Sequence, residues 1–166
     1  MRLALVLLKH ELYVSMQSIK TLDEMKLAAA SVGYTISMLG DILQRIESAK
    51  RKRDGLLLNC LIESFLVLYR RLHAFFYQDK IRYSDDAIAS HYLPNWKEMR
   101  PQESKEWDEV RNRINKTATH FSYKGWELQE QFDKEWPLGK MLADLDPAIQ
   151  TFLSNLPPDK REWFDR

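Results

Sequence analysis

The chain has 166 residues, the size of one ordinary domain, and its 45% hydrophobic and 30% charged residues exclude a disordered chain, a collagen-like chain and a disulfide scaffold. The net charge of +1 argues against a dedicated polyanion-binding domain but leaves room for a local basic site. The chain contains only 5 glycines, too few for many tight hairpins or a Gly-rich phosphate loop, so a helical protein is favoured.

The N-terminal apolar run, residues 3–8, resembles a signal peptide but ends at Lys9 without a cleavage site, so we interpret it as the first turns of a helix. The longest uncharged stretch, residues 27–40, is too short and too polar to span a bilayer. A single cysteine, Cys60, excludes an intramolecular disulfide, and its apolar surroundings predict a buried thiol. We therefore expect a cytoplasmic protein without a membrane partner.

Apolar residues at three- and four-residue steps predict a first long helix over residues 21–49, which begins with a capping box of Thr21 and Glu24. Gly33 and Gly40 lie on one face of this helix, where they permit a close helix contact or mark a kink. The basic run 50–53 is interpreted as its solvated end. A second helix is predicted over residues 55–78, and it is apolar around most of its circumference, as is typical of a central bundle helix.

Shorter elements are predicted in the second half of the chain. Ser84, Asp85 and Asp86 have the composition of a helix start, and this helix would end before Pro94. Further helices are predicted over residues 101–121, 126–136 and 147–156, with Pro137 ending the second and Pro157-Pro158 ending the third. The core face of the 101–121 helix would carry Trp107, Val110, Ile114, Ala118 and Phe121. The predicted fold is all-α, an antiparallel bundle of about five to seven helices in a single domain over residues 1–166.

The chain shows no spacing of zinc ligands, no nucleophile elbow and no nucleotide-binding glycine loop. We therefore expect neither a cofactor nor a metal ion. One polar stripe on the second helix stands out among its apolar residues: Asn59, Glu63, Arg70, His73 and Tyr77. It is either the ordinary solvent-facing side of that helix or a polar seam that faces a site.

A second polar stripe lies on the 101–121 helix and contains Glu109, Arg113, Lys116 and His120. Arg113 and His120 are two helical turns apart and point the same way. A guanidinium holds phosphate, and an imidazole that titrates near neutral pH acts as a general acid or base, which together suit RNA cleavage without a metal. The alternative is an ordinary helix flank in which Glu109 and Arg113 form an i,i+4 pair.

The segment 113–120 has the form Arg-x6-His, which resembles the Arg-x4–6-His motif of the HEPN superfamily of all-helical domains. The wider stretch, roughly residues 56–135, also looks like a group of uncharacterised bacterial helical proteins. The matching pieces are residues 72–77, Asp85-Asp86, Trp96, residues 111–116 and His120-Phe121. The neighbouring pair Arg111-Asn112 has the Arg-polar form that this motif often shows, but eight residues separate Arg111 from His120.

The resemblance implies a metal-independent ribonuclease or toxin whose active site forms between two protomers of a homodimer. Arg113 would bind phosphate, His120 would do the acid–base work, and Asn115 or Lys116 would assist. The alternative is a non-catalytic interaction or regulatory module, either antitoxin-like with a protein partner or a degenerate family member. A third hypothesis is direct nucleic-acid binding through basic residues of the first two helices, for which the alternative at 50–53 is a solvated helix end: Lys50, Arg51, Lys52, Arg53 and Arg70.

Overall fold

The computed structural model describes residues 20–116 and 136–165. These residues form the helices α1 (Leu22–Lys52), α2 (Gly55–Tyr77), α3 (Trp96–Met99), α4 (Trp107–Ile114), α5 (Leu138–Asn155) and α6 (Pro158–Arg161), with a 3-10 helix at Ala89–His91. Neither described range contains a strand, so the all-α prediction is confirmed. Among the described helices, none combines the length and the apolar character needed to cross a bilayer.

Three local caps define the long hairpin of α1 and α2. At the start of α1 the predicted capping box is present, since Glu24 N donates to Thr21 Oγ1 at 3.2 Å and Thr21 N donates to Glu24 Oε2 at 2.8 Å. At its end Arg53 takes a left-handed conformation with φ 55°, and Asp54 N donates to Ala49 O at 3.1 Å. Asp54 then caps α2 by accepting from Leu57 N at 3.0 Å. The chain thus reverses direction within two residues.

The core lies where α1, α2 and α5 meet, and Phe152 of α5 is at its centre with no exposed surface. Five aromatic rings surround Phe152 at centroid distances of 5.3–6.4 Å, all steeply inclined to its plane: Phe75, Phe76, Tyr92, Trp96 and Phe164. Such edge-to-face contacts are favourable beyond the area they bury. They join α2 and α5 to Tyr92 and Trp96, near and in α3, and to Phe164, which follows α6.

The prediction that the last long element begins at Pro147 is wrong, because α5 starts at Leu138 and passes through Pro147. A proline inside a helix costs about 3 kcal/mol through a lost hydrogen bond and a clash with the preceding turn. The apolar face of α5 nevertheless continues on both sides of it, with Met141 and Leu145 before and Ile149 and Phe152 after, all buried. The burial of this face outweighs the local cost.

The prediction of a helix that starts at Ser84 is also wrong. The Asp86 carboxylate accepts from Arg82 N at 2.7 Å, Tyr83 N at 3.1 Å and Gln78 Nε2 at 3.1 Å, so it holds a loop together and caps no helix. The helix predicted over 101–121 begins only at Trp107. Its predicted core residues Ala118 and Phe121, and the predicted helix 126–136 apart from Trp136, lie outside the described residues.

The second helix is central only in its C-terminal half. Its buried residues begin at Phe65, whereas Leu56 and Leu57 in the first turn are 79% and 45% exposed. Cys60 is exposed as well, which contradicts the predicted buried thiol. Leu58 and Leu61 are half-buried against the core, so the apolar run around Cys60 lies at the edge of the core, with Leu56, Leu57 and Cys60 on the surface.

Gly33 permits a close approach between α1 and the C-terminal segment. A Cβ atom at this position would lie 2.0 Å from the backbone oxygen of Phe164, far inside van der Waals contact. Gly40, seven residues further along the same helix, has nothing within 4 Å of such an atom. The predicted close contact thus exists at Gly33 and is absent at Gly40.

This contrast gives a matched test of stability. We expect Gly33→Ala to lower the free energy of unfolding by at least about 1–3 kcal/mol, because backbone must move to admit the methyl group. Gly40→Ala should raise it by about 0.5–1 kcal/mol, because alanine loses less backbone entropy in a helix. Urea denaturation of the two variants measures both effects, and a Gly33→Ala variant as stable as the parent would contradict the close packing.

Candidate functional site

A cleft of about 800 Å³ lies between the C-terminal half of α2 and α4. The loop after α2 and the segment before α4 complete its walls. We call it the α2–α4 cleft, and its lining side chains are Arg70, His73, Ala74, Tyr77, Gln78, Asp79, Lys80, Ile81, Arg82, Glu103, Trp107, Arg111, Asn112 and Asn115. The volume lies in the range of typical ligand sites.

The charge of the cleft is positive, although the whole chain is almost neutral. The lining contains four cations, Arg70, Lys80, Arg82 and Arg111, and two acids, Asp79 and Glu103. Asp79 already pairs with Lys97 at 3.2 Å and with Arg100 at 3.1 Å. Arg111 is itself paired with Asp108 at 2.7 Å. The lining still contains more cations than acids, and its positive charge comes mainly from α2 and the loop that follows it.

The side of the cleft is built on a column of stacked planar groups. The imidazole of His73 lies 3.4 Å from the Trp107 ring centroid at an interplanar angle of 13°, and 4.6 Å from the Tyr77 centroid at 26°. The guanidinium carbon of Arg100 lies 5.4 Å from the centroid of Tyr77 and extends the column. His73 and Trp107 are both buried, so the column fixes the first residue of α4 against the last turns of α2.

Burial lowers the pKa of His73 to about 3, and the nearby guanidinium groups of Arg111 and Arg100 act in the same direction. His73 Nε2 lies 3.5 Å from Glu103 Oε1, a distance at which an imidazolium would form an ion pair. Because the imidazole is neutral at neutral pH, this contact is not an ion pair there. Burial also raises the pKa of Glu103 above its ordinary value.

A neutral imidazole with such a low pKa is a poor proton donor or acceptor near pH 7, since efficient acid–base groups titrate near the working pH. The guanidinium and amide groups of the lining, in contrast, match the oxygens of phosphates and carboxylates. The arrangement of the described residues thus suits anion binding better than proton transfer at His73.

The polar stripe of α2 divides into two parts. Asn59 and Glu63 are exposed, as an ordinary helix surface would be. Arg70, His73 and Tyr77 line the α2–α4 cleft. The first part of the stripe therefore matches the interpretation as a solvent-facing helix surface, and the second part faces a cleft.

The residues of the Arg-x6-His motif are only partly within the described range. Arg113 is half-buried, and its guanidinium carbon lies 3.7 Å from the ring centroid of Trp136. Burial lowers the pKa of Arg113, against the opposite effect of the Glu109 carboxylate. Asn115 lines the cleft and Lys116 is exposed. His120 lies outside the described residues, so the pairing of Arg113 with His120 stays a prediction.

The basic run 50–53 lies at the opposite end of α2 from the cleft. Arg70 is fifteen residues after Gly55, which corresponds to about 22 Å along the helix axis. Lys50, Arg51, Lys52 and Arg53 are all exposed. Within the predicted nucleic-acid set, Arg70 therefore belongs to a different surface from the other four.

Sequence reasoning missed several residues of the cleft: Lys80, Arg82, Glu103 and Arg111. Arg111 could have been found, because the Arg111-Asn112 pair has the form of the motif and both residues line the cleft. Lys80, Arg82 and Glu103 lie between helices, where no periodic pattern assigns them to a face.

Comparison of the chain with protein-family models, with curated proteins and with solved structures gives no significant match in any of the three.

The stacked column makes stability depend on pH. The folded-state pKa of His73 lies below its ordinary value of 6.5, so its contribution to stability is complete above pH 6.5 and is lost as the pH falls towards about 3. We expect His73→Phe, which keeps a ring in the column, to reduce the loss of unfolding free energy between pH 7 and pH 5 by about 2 kcal/mol.

Urea denaturation at several pH values measures this difference. His91→Gln is the comparison: burial also lowers the pKa of His91, so this variant should lose part of the pH dependence too, but less of it than His73→Phe. If His73→Phe and the parent protein lose the same free energy of unfolding over this pH range, the burial of a neutral His73 is contradicted.

Proposed function

We propose that this protein is a HEPN-like helical module that binds RNA through the α2–α4 cleft and does not cut it. The observation that carries the proposal is the convergence of Arg70, Arg82 and Arg111 on one cleft in a chain of nearly neutral charge. Guanidinium groups bind phosphate oxygens in a bidentate geometry, and phosphates dominate the affinity of proteins for RNA.

Two contacts favour binding without cleavage. His73, the described histidine that lines the cleft, is neutral and packed between two rings, with a pKa of about 3. The guanidinium of Arg113 lies against the Trp136 ring and is not part of the cleft lining. One face of the group that would hold the scissile phosphate is therefore covered by an indole. This arrangement corresponds to a degenerate or regulatory member of the superfamily.

A second candidate function is a metal-independent ribonuclease that acts as a homodimer. The observation in its favour is that Asn115, two residues after Arg113, lines the cleft, so the motif helix α4 borders the proposed RNA surface. In this alternative Arg113 holds phosphate, His120 transfers protons, and Asn115 or Lys116 assists. An antitoxin-like role with a protein partner is the corresponding alternative for the non-catalytic module.

Binding is tested by fluorescence anisotropy with a labelled single-stranded RNA in EDTA at 50–200 mM salt. We expect Arg82→Glu to weaken binding at least about tenfold and to reduce the slope of log K against log salt by about 0.7, the value for one phosphate contact to a single strand. Arg161→Glu is the control, because this arginine is equally exposed but lies on α6, away from the cleft lining. Equal losses in both variants, or no measurable binding by the parent protein, would contradict the proposal.

Cleavage is tested with the same RNA on a denaturing gel in EDTA. We expect the RNA to stay intact with the parent protein, because the Arg113 guanidinium that would hold the scissile phosphate is stacked on the Trp136 ring. Cleavage by the parent that disappears in His120→Ala would instead establish the ribonuclease alternative. Cleavage that persists in His120→Ala would contradict both functions as stated here.

A further inference from the structure

The turn between α1 and α2 forms an exposed tip that combines basic and apolar side chains. We call residues 50–57 the hairpin tip. Leu56 is 79% exposed, the highest value among the exposed large hydrophobic residues of the described ranges, and Leu57 is 45% exposed. Arg51, Lys52 and Arg53 lie just before these leucines, separated from them by Asp54 and Gly55, and all three are exposed.

The backbone of the hairpin tip is held in a defined shape. Arg53 is left-handed, with φ 55°, and the two hydrogen bonds that close α1 run from Arg53 N to Lys50 O and from Asp54 N to Ala49 O, both at 3.1 Å. The carboxylate of Asp54 is engaged as the cap of α2 through Leu57 N at 3.0 Å. The tip therefore presents its cations and leucines together without ordering a loop first.

This composition distinguishes a lipid surface from RNA as a partner. Single-stranded nucleic acid is bound by cations together with aromatic rings on which bases stack, and residues 45–64 contain no aromatic residue. Exposed leucines make no favourable contact with a phosphate backbone, but they partition into a bilayer at the boundary between its headgroups and acyl chains. Cations beside them bind anionic headgroups, each contributing about fivefold to affinity near the surface.

In place of the sequence-based expectation of no membrane partner, we propose that the hairpin tip docks this protein on an anionic lipid surface. Leu56 and Leu57 would insert among the acyl chains, and Arg51, Lys52 and Arg53 would lie on the headgroups. The cleft lies about 22 Å away along α2 and stays accessible in this orientation. The contact is small, so docking is reversible and depends strongly on salt.

The full chain is tested by flotation with vesicles of 70% phosphatidylcholine and 30% phosphatidylserine, compared with pure phosphatidylcholine, at 0.1 M and 0.5 M salt. We expect binding to the anionic vesicles alone at 0.1 M salt, with clear loss at 0.5 M. Arg51→Glu/Lys52→Glu should lower the affinity at least about 25-fold, because two cations are removed at about fivefold each. Leu56→Ser/Leu57→Ser should lower it at least about tenfold, because most of the inserted area is lost.

Matched controls exist elsewhere on the chain. Leu27→Ser/Tyr83→Ser removes two side chains that are each 71% exposed but lie outside the hairpin tip, and it should leave vesicle binding within twofold. Lys80→Glu/Arg82→Glu reverses two charges at the cleft and should bind vesicles better than Arg51→Glu/Lys52→Glu. Circular dichroism of each variant establishes that the fold is retained.

Three results would overturn the proposal. The first is no binding to anionic vesicles by the parent protein. The second is unchanged binding by Leu56→Ser/Leu57→Ser, which would make the contact purely electrostatic. The third is a loss of RNA affinity in Arg51→Glu/Lys52→Glu with vesicle binding retained, which would assign the tip to nucleic acid.

Discussion

The stacking of His73 on Trp107 is the contact on which the cleft depends. Helix α4 has only eight residues, and an isolated helix of this length is not stable in water, so its position must come from packing. Trp107 supplies that packing at the first residue of α4 and Ile114, which is fully buried, at the last. The wall that carries Arg111, Asn112 and Asn115 is therefore positioned by the buried His73–Trp107 ring pair at one end and by Ile114 at the other, and the same burial removes charge from His73.

Local signals in the sequence predicted the first half of the fold well. The capping box of Thr21 and the long apolar periodicity are interactions between near neighbours, so the bounds of α1 and α2 follow closely from them. The same local reasoning failed at Pro147, where contacts with distant helices outweigh the proline. It failed at Asp86 because a carboxylate that accepts backbone N–H groups serves loops and helix starts equally well.

The candidate site was predictable to a smaller extent. Periodicity placed Arg70, His73 and Tyr77 on one stripe, but only the packing of α4 reveals which part of the stripe lines a cleft. Arg111 and Arg113 show why the sequence alone does not identify the residues that line the cleft. They are two residues apart, about 200° around a helix, so they face opposite directions. A motif specifies which residue types are present, whereas the tertiary contacts of Trp107 and Trp136 decide which arginine enters the cleft.

The contact between Gly33 and Phe164 also bears on the order of folding. It joins positions about 130 residues apart. Closing so long a loop carries a large entropic cost, which the packing of the contact offsets only after the contact has formed. The α1–α2 hairpin, in contrast, needs only neighbouring segments and a two-residue turn. We therefore expect native hairpin contacts to form early on the folding pathway and the C-terminal segment to dock on α1 near its end. On a nascent chain, α1 and α2 can pair before the C-terminal segment has been synthesised to cover Gly33.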